Sequence, residues 1–172
     1  LMDSEDMAFV LLGTGNAEYE DFMRSAEWRH KGRLCAYIGY DEALSHRVYA
    51  GSDFLLMPSS FEPCGLSQMI AMRYGTLPIV RETGGLRDSV QPYNRFTGEG
   101  TGFSFANFNA YELADTIRRA LALYHDDHDA YCRVQRQAMS QDFSFTRSAE
   151  DYAHLYLLLL PEDTAPKHDA AD

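Results

Sequence analysis

The stretch Pro58-Ser59-Ser60-Phe61-Glu62-Pro63-Cys64-Gly65-Leu66-Ser67-Gln68 decides the fold. It follows the apolar run Phe54 to Met57, which has strand length, and precedes Leu66 to Tyr74, where Leu66, Met69, Ile70 and the stem of Arg73 recur at helical spacing. A strand, a glycine-bearing turn and a helix in that order form half of a βαβ unit. Such units build parallel sheets with helices on both faces. In these sheets ligands bind outside the carboxyl ends of the strands, so this turn is the first place to look for chemistry.

Working outward, the same alternation recurs. Ala8 to Leu12 reads as a buried strand stopped by Gly13-Thr14-Gly15, Ala17 to Trp28 as a helix, Leu34 to Ile38 as a strand, and Asp41 to Ala50 as a short helix. Beyond the central turn, Leu77 to Val80 reads as a strand, Leu86 to Val90 as a short helix, 91–101 as a polar loop and Gly102 to Phe105 as a strand. Three helices close the chain. The first is capped by Asn109 with Glu112 in capping-box position and carries Leu113, Ile117, Ala120, Leu121 and Tyr124 on one face. The second spans Asp129 to Ser140. The third starts near Thr146 and aligns Ala149, Tyr152, Ala153, Tyr156 and Leu160. The expectation is a single α/β domain over residues 1–160, a Rossmann-like parallel sheet with helices on both faces, followed by a disordered tail over 161–172.

Composition excludes several functions. The 172 residues suffice for one domain and a sizeable core, with 45% hydrophobic and 24% charged residues. A net charge of −11 disfavours nucleic acid and anionic membranes as partners. It does not disfavour a small anionic ligand, because local amides override a global field. Cys35, Cys64 and Cys132 are three, scattered and without a CxxC pair, which argues against zinc and for a reducing compartment, with cytoplasm the expected location. No signal peptide is visible, and Leu157 to Leu160 is far too short to span a bilayer.

Four constellations carry candidate chemistry. In the central turn, Gly65 lets backbone approach a ligand and the amides of Leu66 and Ser67 open a helix, an arrangement suited to an anion. Glu62 stands beside it, and a carboxylate next to a phosphate site needs a purpose: hydroxyl groups to accept from, or a cationic transition state to face. Arg81-Glu82-Thr83-Gly84-Gly85-Leu86 repeats the logic after the next strand, so two turns are expected to offer amides to one diphosphate. Gly13-Thr14-Gly15 fails the dinucleotide fingerprint, because Glu18 stands where the third glycine belongs. Tyr40, after the second strand, suits either packing or stacking on a base. His125-Asp126-Asp127-His128 resembles a metal-ligand run but falls between two helices, where a solvated connection is the simpler reading. Cys64 reads equally as a small buried residue or a reactive thiol.

Together these residues resemble the bacterial glycogen and starch synthases that use ADP-glucose. The matching stretches are Ile38 to Arg47, Pro58 to Gln68, Tyr74 to Asp88, Val134 to Met139 and Asp142 to Phe145, and the likeness runs from about residue 8 to residue 158. The resemblance implies a GT-B architecture of two Rossmann-like domains, with this chain similar to the C-terminal, donor-holding one. It implies that Glu62 faces the glucose and stabilises developing oxocarbenium charge. The backbone at Cys64 and Gly65 then contacts sugar hydroxyls, and Leu66 and Ser67 bind the diphosphate. Thr83, Gly84 and Gly85 line the donor pocket, and Tyr40 lies against adenine. The implied partners are ADP-glucose, an α-1,4-glucan acceptor and an N-terminal domain; neither metal nor other cofactor is implied. Family cations that clamp the diphosphate lie upstream of the first strand, so the chain alone is expected to be inactive; the final helix, Thr146 to Leu160, would lack its natural cover, so self-association is expected through it or through the empty cleft. Ile70 stands where many related retaining transferases carry a second glutamate, which favours the glycogen synthase branch. Two other readings are another retaining GT-B transferase and a stand-alone nucleotide- or glucan-binding module.

Overall fold

The computed structural model describes residues 1–160. These fall into two compact units, Leu1–Ser140 and a second beginning at Gln141. The expected tail over 161–172 lies outside the described residues.

In the first unit strands and helices alternate as the periodicities predict: β1 (Phe9–Gly13), α1 (Ala17–Arg29), β2 (Leu34–Ile38), α2 (Glu42–Gly51), β3 (Phe54–Met57), α3 (Ser67–Tyr74), β4 (Leu77–Arg81), α4 (Gly84–Ser89), β5 (Phe103–Phe105), α5 (Ala110–Asp126) and α6 (His128–Met139). All strand pairs are parallel. The strands form two sheets, β1-β2 and β3-β4-β5, and no hydrogen-bonded pairing joins β1 to β3. Helix starts also shift by a residue or two. Leu66 caps α3 instead of opening it, and α4 begins at Gly84, earlier than Leu86, because the glycine pair itself turns into the helix.

Burial concentrates on β4, whose first four residues are all buried. Leu77, Ile79 and Val80 pack with Met72 of α3, Leu86 and Val90 around α4, Phe103 of β5, Ile117 and Ala120 of α5, and Tyr131, Val134 and Ala138 of α6. A proline inside a central strand normally forfeits a ladder bond. Pro78 forfeits none, because the β4–β5 register begins only at Ile79 and Phe103. Phe54 stands edge-on to Phe103, Tyr124 and Tyr131, with ring centroids 5.6–6.2 Å apart. Burial pushes the Tyr131 phenol up, and its hydroxyl donates to the Asp53 carbonyl at 3.1 Å.

Side-chain caps fix the helix ends. Asp41 Oδ1 accepts from the Leu44 amide at 2.9 Å, and Asn109 Oδ1 accepts from Glu112 N at 2.9 Å. Glu112 in turn accepts from the backbone of Asn107 at 2.8 Å and Ala106 at 3.1 Å. These bonds, the Asn107 amide's foremost, hold its carboxyl below the usual carboxylate range. The run His125 to His128 is a helix junction: Asp127 ends α5 and caps α6, accepting from Ala130 N at 2.9 Å. Among the described residues no group of three or more His, Cys, Asp or Glu side chains is placed to hold a metal. Nor is any described helix long and apolar enough to cross a membrane.

The second unit contains α7 (Phe145–Leu159), capped by Ser144, with no buried residue and with Tyr152, Leu155, Tyr156 and Leu157 to Leu160 exposed.

Met72 is fully buried among core side chains. Met72→Ala is expected to destabilise the chain by about 2–5 kcal/mol through lost burial and a residual cavity. Urea unfolding should show a lower midpoint with an unchanged slope.

Candidate functional site

The turns after β3 and β4 meet. The Gly85 amide donates to the Glu62 carbonyl at 3.1 Å. A Cβ added to Gly84 would lie 2.1 Å from that carbonyl oxygen, and one added to Gly85 would lie 2.1 Å from the Cys64 carbonyl oxygen. No side chain fits at either position without moving the opposite backbone. The glycine pair therefore serves loop-to-loop contact first. This corrects the expectation that Gly85 offers a free amide to a ligand, since its N–H is engaged.

Two side chains brace the first turn. Arg81, the last residue of β4, reaches back under it: Nε donates to the Ser59 carbonyl at 2.7 Å and Nη2 to the Ser60 carbonyl, with the guanidinium lying over the Phe108 ring. Gln68, fully buried in the first turn of α3, donates from Nε2 to the carbonyls of Cys64 at 3.2 Å and Gly65 at 2.9 Å, and to Ser89 Oγ at 3.0 Å. Ser89 Oγ passes the link on to the Gly85 carbonyl at 2.6 Å. The Gln68 Oε1 is buried without a partner among the described residues. Gly65, at φ +72°, supplies the left-handed turn that brings the chain over Gln68.

These braces leave a ledge. Glu62 is half-buried, Cys64 is exposed, Gly65 and Ser67 are half-buried and Leu66 is exposed. The amides of Leu66 and Ser67 make no hydrogen bond among the described residues, and they stand at the amino end of α3, where the helix dipole favours an anion. Thr83 is half-buried and precedes α4. The carbonyls of Cys64 and Gly65 turn towards Gln68, so any contact these two residues make with a ligand falls to their amides and to the Cys64 thiol.

The structure brings together Glu62, Cys64, Gly65, Leu66, Ser67, Thr83, Gly84 and Gly85. It sets Tyr40 apart: this residue follows β2 in the other sheet, 87% exposed and without a ring partner among the described residues. The Gly13-Thr14-Gly15 turn is tied down by the Glu20 carboxylate, which accepts from the Gly15 amide at 3.0 Å. Arg81 and Gln68 both lie in the quoted motifs but received no role from the sequence. Their work is to hold main-chain carbonyls, which no spacing rule announces; an arginine ending a buried strand beside a polar turn was the available signal.

Gly85→Ala should force the Cys64 carbonyl away and cost about 1–3 kcal/mol, the range for overpacking. Gly15→Ala, with open space around its Cα, should stay within about 0.5 kcal/mol. Paired urea titrations of the two variants separate the cases.

The sequence and the fold have counterparts. A glycogen synthase from Exiguobacterium sibiricum is 54% identical over 156 residues, covering 91% of this chain and 32% of that protein. One from Geobacillus thermodenitrificans is 52% identical over 162 residues, covering 94% of this chain and 33% of that protein. The chain thus spans about a third of the length of these relatives. The catalytic domain of starch synthase IV from Arabidopsis thaliana, solved bound to ADP and acarbose, superposes with a TM-score of 0.78 at 40% identity, over 87% of this chain and 31% of that one. Anabaena HepE in complex with UDP-glucose, at 19% identity and a TM-score of 0.65, shares the fold. The expected class, α/β with parallel strands of the GT-B type, agrees with these neighbours. The family model for the group 1 glycosyl transferases matches residues 2–137, and the chain belongs to that family.

Proposed function

We propose that this chain is the donor-binding part of a retaining glucosyltransferase that moves glucose from ADP-glucose to the non-reducing end of an α-1,4-glucan, and that it works only within a longer two-domain protein. The observation that carries the reading is the contact of the 58–65 and 83–86 turns. That contact holds the Glu62 and Cys64 backbone against Gly84 and Gly85, in the turn that leads into α3, whose opening amides are unpaired among the described residues. Relatives named glycogen synthase at 51–54% identity support the reaction class, and the ADP-bound starch synthase domain supports the donor.

In this reading the Leu66 and Ser67 amides receive the diphosphate. Thr83, Gly84 and Gly85 wall the pocket, and the amides of Cys64 and Gly65 meet sugar hydroxyls. When the C1–O bond breaks, the electron pair leaves with ADP and positive charge grows at C1 and the ring oxygen. The Glu62 carboxylate stabilises that charge. Tyr40 offers its exposed ring to the base.

A departing diphosphate also needs cationic help, since preorganised charge supplies much of the barrier lowering in such reactions. Arg81, which ends the strand leading into the second turn, has two of its nitrogens committed to the Ser59 and Ser60 carbonyls. On this reading the isolated chain is inactive, and the acceptor site and clamping cations belong to the rest of the protein. The exposed tyrosines and leucines of α7 support self-association of the isolated chain. Sedimentation at rising concentration should reveal it, and a strict monomer would exclude it.

In the longer enzyme, Glu62→Gln should lower turnover by at least ~100-fold, comparable to losing one strong electrostatic stabiliser. Near-normal turnover would remove Glu62 from the chemistry. The isolated chain should bind ADP at roughly millimolar affinity, about −4 kcal/mol. Amide shifts should centre on residues 62–67 and 83–86, with UDP weaker. Shifts elsewhere, or robust ADP-glucose turnover by residues 1–172, would defeat the assignment.

A further inference from the structure

The turn after β3 divides its backbone groups into those that are gripped and those that are free. Its peptide bonds are trans, and a planar trans peptide sets its N–H opposite the preceding C=O. The Cys64 carbonyl accepts from Gln68 Nε2 at 3.2 Å, and the Gly65 carbonyl accepts from the same nitrogen at 2.9 Å. Both carbonyls therefore face the first turn of α3, and the Gly65 and Leu66 amides face the other way. The Leu66 carbonyl accepts from Ile70 N at 3.0 Å, which turns the Ser67 amide out past the start of the helix. None of these three amides donates to a partner among the described residues.

Their backbone angles draw the three together. Gly65 is left-handed at φ +72°, and Leu66 is right-handed at φ −109° and ψ −29°. Neighbouring residues of opposite hand curl successive N–H groups into a concavity that suits an anion. A helix start alone does not fix this arrangement. The Cys64–Gly65 and Gly65–Leu66 peptide planes precede α3 and lie outside its ladder, so something else must set their direction.

The carboxamide of Gln68 is placed for its donor end. The side chain is fully buried, and its Oε1 has no partner among the described residues. A buried acceptor left unpaired is unfavourable, and an apolar side chain of like shape avoids that cost. Nε2, in contrast, carries two hydrogens and faces three acceptors: the two loop carbonyls and Ser89 Oγ at 3.0 Å. Position 65 is fitted to the same side chain, since a Cβ there would lie 2.5 Å from Oε1 and 3.0 Å from Nε2. Gly65 thus supplies both the positive φ and the room that the carboxamide occupies.

We propose that Gln68 is a positioning residue: by holding the Cys64 and Gly65 carbonyls inward, it aims the Gly65, Leu66 and Ser67 amides outward as one cradle for the oxygens of a glycosyl diphosphate. The ligand class rests on the donor-site reading above; the direction of the peptides does not. Gln68 reaches a ligand only through the peptides it holds. It keeps the cradle formed before the ligand arrives, so its loss lowers the fraction of molecules competent to bind, and apparent affinity falls by that fraction.

Gln68→Met keeps the length of the side chain and removes the donor. In residues 1–172 its ADP dissociation constant should rise at least ~10-fold, the value for a cradle formed in about a tenth of the molecules. The carbonyl carbon signals of Cys64 and Gly65 should move while those of β4 hold. The urea midpoint should change little, because the variant also removes the unpaired Oε1. Val134→Ala, a truncation in the core face of α6, is the opposite case: a lower midpoint with ADP affinity within about 2-fold of the parent. Equal ADP affinity in Gln68→Met and the parent overturns the proposal, and so do unmoved Cys64 and Gly65 carbonyl signals. An equal loss of affinity in Val134→Ala also overturns it, by making the effect a general loosening. Should Gln68→Met not fold, the parent decides: scalar couplings across the hydrogen bonds must link the Gln68 side-chain amide protons to both carbonyl carbons, and their absence defeats the assignment. If the parent binds no ADP, the donor reading has failed, and the same couplings still settle the direction of the peptides.

Discussion

The site rests on a steric constraint, the absence of side chains where two turns touch. The Glu62 and Cys64 carbonyls sit so close to the Cα atoms of Gly84 and Gly85 that one extra carbon would collide with either. The Gly85 amide converts that proximity into a bond. Everything placed on the ledge, including the carboxylate of Glu62 and the opening amides of α3, inherits its position from this contact. Arg81 and Gln68 then secure the same turn, one from the strand beneath and one from the helix behind. A polar loop at the edge of a sheet would ordinarily be mobile; here three neighbouring elements hold its main chain.

That arrangement separates support from function. The groups that grip the loop use its carbonyls, leaving amides and one acidic side chain for a ligand. Such a surface is complementary to anionic oxygens and hydroxyls, and its acid suits a centre that becomes positive. The cation that ends β4 is spent on the loop itself, through the Ser59 and Ser60 carbonyls.

Much of this was legible in the sequence. Runs of Phe, Leu, Ile and Val at strand length, glycine at the turns, and the Asn109–Glu112 box gave the elements and their order, because those signals are local. The two motifs carried the site for the same reason: strand, glycine and helix start lie within a dozen residues. What was not legible depends on contacts distant in sequence. The engagement of the Gly85 amide by Glu62, the reach of Arg81 to Ser59, and the division of the strands into two sheets all follow from pairing between segments. A hydrophobic run shows that a strand forms but says nothing of whether both of its edges find partners.

Asp127 ends one helix and begins the next, so α5 and α6 share a single carboxylate at their joint. From α6, Gln135 reaches the Gly75 carbonyl at 2.7 Å, gripping α3 at the end opposite the ledge. The far side of the unit thus acts as a splint. The helix that opens at the ledge is thus held at its other end by a side chain of α6.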